Sequence, residues 1–385
     1  MLNSDISLAP KLPNIGTSIF SIMSQLANEH DAINLSQGFP SFSSDAKLLS
    51  LVNQYMKKGF NQYAPMQGIL PLRESLAEKM ASLYAVNYHP EDEITITAGA
   101  TQAIYAAITA VVREGDEVII FEPAYDCYVP AIQLNGGIPV AIELKYPDYK
   151  IDWEQVKNSI NRNTKMIIIN TPHNPTGSVL NKEDMQVLER LTKETDILIL
   201  SDEVYEHIIF DGLPHESVAK YPNLANRSFV IYSFGKTFHN TGWKMGYCLA
   251  PKNLMKEFRS VHQFIVFSVN TPIQYALAEY MKDPNTYLGL NEFYEKKRNF
   301  FLNAISDSRF EALPAKGTYF QSLSYKNITD EKDLDFAKRL TIEHKVASIP
   351  LSPFYKNKTD NKVLRFCFAK DEKTLEKAAK KLCKI

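Results

Sequence analysis

Ser233-Phe234-Gly235-Lys236-Thr237-Phe238-His239-Asn240-Thr241-Gly242-Trp243-Lys244-Met245-Gly246-Tyr247 is the stretch that decides the reading of this chain. The run just before it, Ser228-Phe229-Val230-Ile231-Tyr232, is β-branched and aromatic, the composition of a buried strand. Such a strand delivers Ser233 and Lys236 to its C-terminal end, where open α/β sheets bind their ligands. A lysine beside a serine and glycines is by itself an ordinary solvated loop residue, so its neighbourhood has to decide. Gly235-Lys236-Thr237 shares letters with the phosphate loop of nucleotide hydrolases, but that loop requires glycine at position 230, which is valine. Ser233-x-x-Lys236 shares letters with serine acyl enzymes, which also carry Ser-Asp-Asn and Lys-Thr-Gly. Here stand Ser201-Asp202-Glu203 and Lys236-Thr237-Phe238 instead. An amine nucleophile or a phosphate clamp remains.

Composition narrows the partners. With 385 residues and 45% hydrophobic content, the chain can bury a large α/β core and carry an appendage. Its 43 basic residues balance 44 acidic ones without any long block of like charge, so nothing points to a nucleic-acid or membrane surface and small molecules are the expected partners. Cys127, Cys248, Cys367 and Cys383 lack paired spacing, which argues against a disulfide framework or a zinc cluster, and a reducing, cytoplasmic setting is expected. The histidines show no His-Glu-x-x-His pairing, and no metal is predicted. Met1-Leu2-Asn3-Ser4-Asp5 has neither a basic start nor an apolar stretch, and no apolar run approaches the ~20 residues of a membrane helix. The expectation is a chain neither exported nor embedded.

From residue 93 onward strand and helix patterns alternate. Segments 93–97, 117–121, 165–170 and 196–200 are apolar runs of strand length. Segments 102–113, 128–135 and 181–195 carry helical spacing, the last through Met185, Leu188 and Leu191. Repeated βα units imply an α/β fold with a mostly parallel sheet sandwiched by helices. After about residue 275 come a long charged helix, an apolar alternation at Gly317-Thr318-Tyr319-Phe320, the run 363–368 and a lysine-rich terminal helix. These read as a smaller α+β domain. The segment up to Phe42, with Pro10, Pro13 and Pro40, lacks a core of its own and is assigned to it. The expected division is 43–280 for the large domain and 1–42 plus 281–385 for the small one.

Four loops are expected at one end of the large sheet. Ala98-Gly99-Ala100-Thr101-Gln102 follows a strand and opens a helix, which makes an anion site of its backbone N–H groups, although such a turn needs small residues for steric reasons alone. Asp202-Glu203-Val204-Tyr205 follows an apolar strand; the aspartate either caps the next element or pairs with a cationic ring nitrogen. Thr171-Pro172-His173-Asn174-Pro175-Thr176-Gly177 is a rigid turn able to hold Asn174 toward a ligand. Lys236 completes the set.

Together these motifs resemble the class I aminotransferases of the fold type I pyridoxal-phosphate family, over nearly the whole chain from Gly16 to the terminal helix, and nearest to its methionine and kynurenine branch. The resemblance implies pyridoxal 5'-phosphate as cofactor and Lys236 as the residue that holds its aldehyde and acts as general acid and base. It makes Asp202 the partner of the ring nitrogen, and Tyr205 and Asn174 the partners of the phenolic oxygen. It sets the phosphate on the backbone of Ala100 and Thr101 with Ser233, Lys244 and the neighbouring subunit's Tyr63, which makes the protein a homodimer with shared active sites. Many relatives carry arginine at the position of Lys244, and lysine supplies the charge without the bidentate fork. Tyr125 would stack on the ring, and Arg365 and a Gly38 backbone donor would hold the substrate α-carboxylate. Without the resemblance Tyr63 reads as a core aromatic, and for Tyr125 core packing is the preferred reading.

In place of the second arginine of dicarboxylate-specific relatives, the stretch 261–268 offers aromatics. Phe20, Tyr63, Tyr125 and Phe267 would then line an apolar pocket for methionine or aromatic amino acids. The expected activity is transfer of the amino group to a 2-oxo acid by a ping-pong route. Two other readings stand beside it: a carbon–sulfur β-lyase on the same fold, and a ligand sensor, for whose DNA-binding extension the chain has no room.

Overall fold

The computed structural model describes residues 9–13 and 15–385. The expected small-domain segment 1–42 is therefore covered apart from residues 1–8 and 14, and the Met1–Asp5 start lies outside the described residues. At the centre is a seven-stranded sheet in the order Ile94–Thr97, Gly246–Leu249, Ser228–Ser233, Leu198–Asp202, Thr164–Asn170, Glu117–Glu122, Ile138–Glu143. All neighbours run parallel except Gly246–Leu249, which is antiparallel to both strands beside it. The strands read as continuous apolar runs because both faces are covered. Val118, Ile120, Met166, Ile168, Phe229 and Ile231 pack under helices Ala100–Val111 and Lys252–Ile265 on one face. Ile119, Phe121, Ile167, Ile169, Val230 and Tyr232 enter the larger core on the other. Alternate residues of one strand thus serve two cores, as the twofold side-chain period requires.

The predicted elements at 93–97, 117–121, 128–135 and 165–170 fall within a residue of their observed counterparts. Helix Lys182–Thr192 starts behind an Asn181 cap that receives the Asp184 N–H while Asp184 receives that of Asn181, a capping box. Two expectations are corrected. The strand expected at 196–200 lies at Leu198–Asp202, because its ladder pairs Met166 with Leu198 and Asn170 with Asp202. Asp202 therefore ends the strand rather than following it. The helix expected at 102–113 is Ala100–Val111, since Gly99, at φ +80°, already turns the chain into it.

A four-stranded antiparallel sheet, in the order Ile349–Pro350, Val363–Cys367, Phe320–Ser324, Glu311–Ala312, forms the second layer system. Beside it, Ile33–Asn34 of the N-terminal segment pairs in parallel with Val346–Ala347 as a separate two-stranded sheet. Helix Ile19–Glu29 buries Ile19, Met23 and Ala27 beneath this junction.

Gly246 shows how tightly the layers meet at the strand ends. Its residue position pairs with both Thr97 and Ser233. A β-carbon there would stand 2.8 Å from the Tyr232 carbonyl oxygen, 2.9 Å from Gly99 C and 3.0 Å from Ala100 N, all backbone atoms that cannot step aside. Gly246→Ala is expected to destabilise the fold by about 1–3 kcal/mol, the usual cost of overpacking, read as a lowered melting temperature.

Candidate active site

Six of the seven strands send their ends to one cleft. It is lined by Gly99, Ala100 and Thr101 after the first strand, Tyr125 after the second, Asn170 and Asn174, Asp202, Val204 and Tyr205, Ser233, Gly235 and Lys236, and Thr241, Lys244 and Met245 before the antiparallel strand. Its open space, counted out to the solvent at its mouth, is about 660 Å³. Nine of the residues expected from the sequence (Ala100, Thr101, Tyr125, Asn174, Asp202, Tyr205, Ser233, Lys236 and Lys244) line this one space.

One end of the cleft is built for an anion. Helix Ala100–Val111 points its N-terminus there, where first-turn N–H groups have no partner within a helix. Lys244 reaches the same place: a β-carbon on Gly99 would lie 3.5 Å from its Nζ. At the opposite end stands a buried carboxylate. Asp202 Oδ2 accepts from Tyr128 Oη at 2.6 Å, and its Oδ1 accepts from the Val204 N–H at 3.4 Å. Burial raises the Asp202 carboxyl to about 6, against the bonds to Tyr128 and Val204 and the nearby Lys236 charge, all of which favour the anion.

Lys236 sits in the short turn Phe234–Thr237, and burial lowers its amine to about 8. The Nζ donates to Gly38 O at 3.1 Å and to Tyr319 Oη at 2.9 Å. Gly38 thus presents its carbonyl to the lysine, in addition to whatever its expected backbone donor meets. Arg365, on strand Val363–Cys367, is fully buried. It donates to Asn174 Oδ1 at 2.7 Å and to the Ser36 carbonyl at 2.9 Å, while its Nε has no partner among the described residues. Phe320 covers the guanidinium at 3.8 Å and Phe20 at 5.1 Å. Burial brings the guanidinium down to about 10. A thread of bonds ties it to the carboxylate end: Asn174 N–H to Asn170 Oδ1 at 2.8 Å, and Asn170 Nδ2 to the Asp202 carbonyl at 2.8 Å.

Tyr63 and Phe267 lie apart from the cleft. They are 82% and 52% exposed and touch each other edge to face at 5.3 Å, beside a Phe264 that is 86% exposed. Exposure of that size removes the core reading of Tyr63.

Behind the cleft lies a polar network. Glu203 accepts from Ser201 Oγ, the Val218 N–H and Tyr232 Oη and contacts His215 Nε2 at 2.8 Å. Glu206 pairs with Lys79 and accepts from Tyr84 Oη at 2.8 Å. Glu203, Glu206 and Lys79 are all buried. This network, Tyr128 and Tyr319 were beyond the sequence reading. Tyr128 gave one signal, its place three residues after Tyr125, whereas Tyr319 stood in what read as apolar alternation.

The sequence model of the family "Aminotransferase class I and II" matches residues 30–382. The chain is 47% identical to the methionine aminotransferase of Escherichia coli K12, over 99% of each. It is 33% identical to the kynurenine–oxoglutarate transaminase of Dictyostelium discoideum, over 97% of this chain and 95% of that one. Among solved structures, the E. coli protein whose reactivity identified a methionine aminotransferase function superposes with a TM-score of 0.97 at 46% identity, covering 99% and 100% of the two chains. N-succinyldiaminopimelate aminotransferase of Mycobacterium tuberculosis follows the same path with a TM-score of 0.94 at 31% identity, covering 98% and 99%. The chain belongs to the class I and II aminotransferase family. It is a pyridoxal-phosphate-dependent aminotransferase, and these relatives give the carbon–sulfur lyase reading no support.

Tyr128→Phe removes one donor to a buried carboxylate and leaves the ring in place. A hydrogen bond to a charged group contributes about 1.5–3 kcal/mol, so pyridoxal phosphate should bind roughly tenfold to a hundredfold more weakly, measured by absorbance titration of the cofactor-free enzyme.

Proposed function

We propose that the protein is a homodimeric, cytoplasmic aminotransferase that takes its amino group from methionine or an aromatic amino acid and passes it to a 2-oxo acid in two half-reactions. The observation that carries this reading is a cleft lined by Lys236 and Asp202 beside a fully buried Arg365, which hydrogen-bonds the lining residue Asn174 and has no carboxylate partner among the described residues. A buried guanidinium in that condition suits an anionic ligand group.

The residues present fit pyridoxal phosphate. The turn Gly99–Thr101 with Ser233 and Lys244 would hold its phosphate, Tyr125 its ring face, and Asn174 and Tyr205 its phenolic oxygen. Asp202 would hold a proton on the ring nitrogen, to which a carboxylate at the ring edge is the natural partner. When bound, the cofactor supplies an aldehyde that takes up amino groups and a ring that accepts the electron pair left by the α-proton.

The chain's own residues do the rest. Arg365 orients the substrate by its α-carboxylate through a planar, bidentate fork, with Asn174 beside it and the Gly38 backbone adding a donor. That fixes the α-hydrogen toward Lys236, whose amine takes the proton from the α-carbon and returns it at the other end of the transfer. An amine near neutrality in both directions is suited to such a shuttle.

Substrate choice follows from the walls. Phe20, stacked near Arg365, and Tyr125 are apolar and polarizable, and the exposed Tyr63, Phe264 and Phe267 form a face that a second copy of the chain would cover. The partner subunit's Tyr63 would then complete the phosphate site, and its Phe267 the side-chain pocket. Thioether sulfur gains from aromatic contact, which favours methionine, and the 47% identical E. coli relative is a methionine aminotransferase. Free cysteines at 127, 248, 367 and 383 agree with a reducing compartment, and among the described residues no helix is long and apolar enough to cross a membrane. The division into a large domain at 43–280 and a small one at 1–42 plus 281–385 agrees with the separation of the seven-stranded from the four-stranded sheet and with the Ile33–Asn34 pairing.

Addition of methionine to the yellow enzyme should bleach its visible absorbance while the corresponding 2-oxo acid accumulates. Aspartate and glutamate should do so at least about tenfold less efficiently, for want of a second cationic contact; equal rates would overturn the substrate assignment. Lys236→Ala should lower turnover by at least ~10⁴-fold, since one amine provides both the covalent link and the proton transfer. Sedimentation should give a dimer.

A further inference from the structure

Among the described residues, Tyr319 is the one side chain that hydrogen-bonds the Lys236 amine. Its hydroxyl carries a single hydrogen, and the Gly38 carbonyl takes it at 2.6 Å. Toward Lys236, 2.9 Å away, the same oxygen can therefore only accept. The lysine also donates to Gly38 O at 3.1 Å, so three polar atoms close a triangle. A neutral amine has two hydrogens. With both committed to this triangle, its lone pair is turned away from Gly38 and Tyr319 and toward the cleft.

The triangle is held rigidly. Tyr319 is fully buried, its ring standing edge-on to Tyr205 at 5.1 Å and to Phe320 at 4.9 Å, with Tyr294 at 5.6 Å on a further side. Its carbonyl accepts the Phe368 N–H at 3.0 Å, which fastens it to the strand that bears Arg365. Gly38 is fixed as closely: a β-carbon on it would stand 2.9 Å from Phe320 Cζ. Neither acceptor brings a negative charge. A carboxylate in place of the phenol would hold the lysine as a permanent ammonium, whereas burial among neutral acceptors keeps its proton exchangeable near neutrality.

We infer that Tyr319 is a positioning residue for Lys236, its hydroxyl, locked on the Gly38 carbonyl, aiming the amine's lone pair at the cleft for proton transfer. The inference rests on the reading of Lys236 as the reacting amine. It assigns to the small sheet a part in the chemistry beyond holding Arg365.

The test compares the parent with Tyr319→Phe, which keeps the ring and deletes the oxygen. In the cofactor-free enzyme, the rate at which pyridoxal phosphate condenses with Lys236 is followed against pH, trapped with borohydride and located by peptide mapping. Condensation requires the neutral amine, so in the parent it rises with pH through a midpoint near 8. Loss of an acceptor destabilises the ammonium, and the midpoint should fall by about 0.5–1 pH unit in the variant. With methionine as donor, kcat should drop about tenfold and the α-deuterium isotope effect should grow, while KM stays within about twofold. A ring that only fills space would move none of these. An unchanged midpoint with unchanged kcat and isotope effect would overturn the inference and leave the role of Lys236 intact. A parent enzyme unlabelled at Lys236 would overturn both. If Tyr319→Phe fails to fold, 3-fluorotyrosine at position 319 keeps the shape and weakens the oxygen as an acceptor. It should shift the midpoint in the same direction by less, and no shift would overturn the inference.

Discussion

Charge withdrawn from water at the ends of parallel strands is the constraint on which this structure turns. Asp202, Lys236 and Arg365 are each perturbed first by burial. For Asp202, a carboxyl raised from 3.8 to about 6 corresponds to a folding cost on the order of 3 kcal/mol. The cost is full above pH 6 and fades as the pH falls through 6 toward the ordinary carboxylate range, because the folded state binds its proton first. The Tyr128 hydroxyl and the Val204 N–H offset part of it with fixed dipoles. Pyridoxal phosphate and an amino acid carry the complementary charges, so the same burial that weakens the empty fold strengthens what binds there.

The segment Asp202–His207 divides its labour by direction. Asp202 and Tyr205 face the cleft, while Glu203 and Glu206 face the network of Lys79, Tyr84, Tyr232, Tyr247 and His215. Tyr232 and Tyr247 belong to the strands that end at Ser233 and begin at Gly246. The network therefore joins, from behind, three of the backbone segments that carry the site. A buried ion pair of this kind adds little net stability, but it admits few alternative arrangements.

How much of this was legible in the sequence depends on what each residue's letter can say. The Lys236 segment and the loops at Gly99, Asn174 and Asp202 follow apolar runs with turn chemistry, and such punctuation marks strand ends without reference to tertiary structure. Arg365 announced itself as a charge between apolar neighbours. Tyr128 and Tyr319 did not, because a tyrosine among hydrophobic residues reads as core, and only three-dimensional packing shows where its hydroxyl points. The run Gly246–Leu249 carried no sign of its direction, since an apolar strand looks alike whether it is parallel or antiparallel. Lys79 lay on a helix, where a lysine is by default a solvated residue.

That reversed strand also imposes an order on the making of the molecule. Ile94–Thr97 lies at the edge of the sheet, and its sole neighbour there is Gly246–Leu249. The anion turn is thus translated early but acquires its supporting strand roughly 150 residues later, a separation that raises contact order and slows closure. The strand before the anion turn is thus paired only when the last strand of the large sheet has been made.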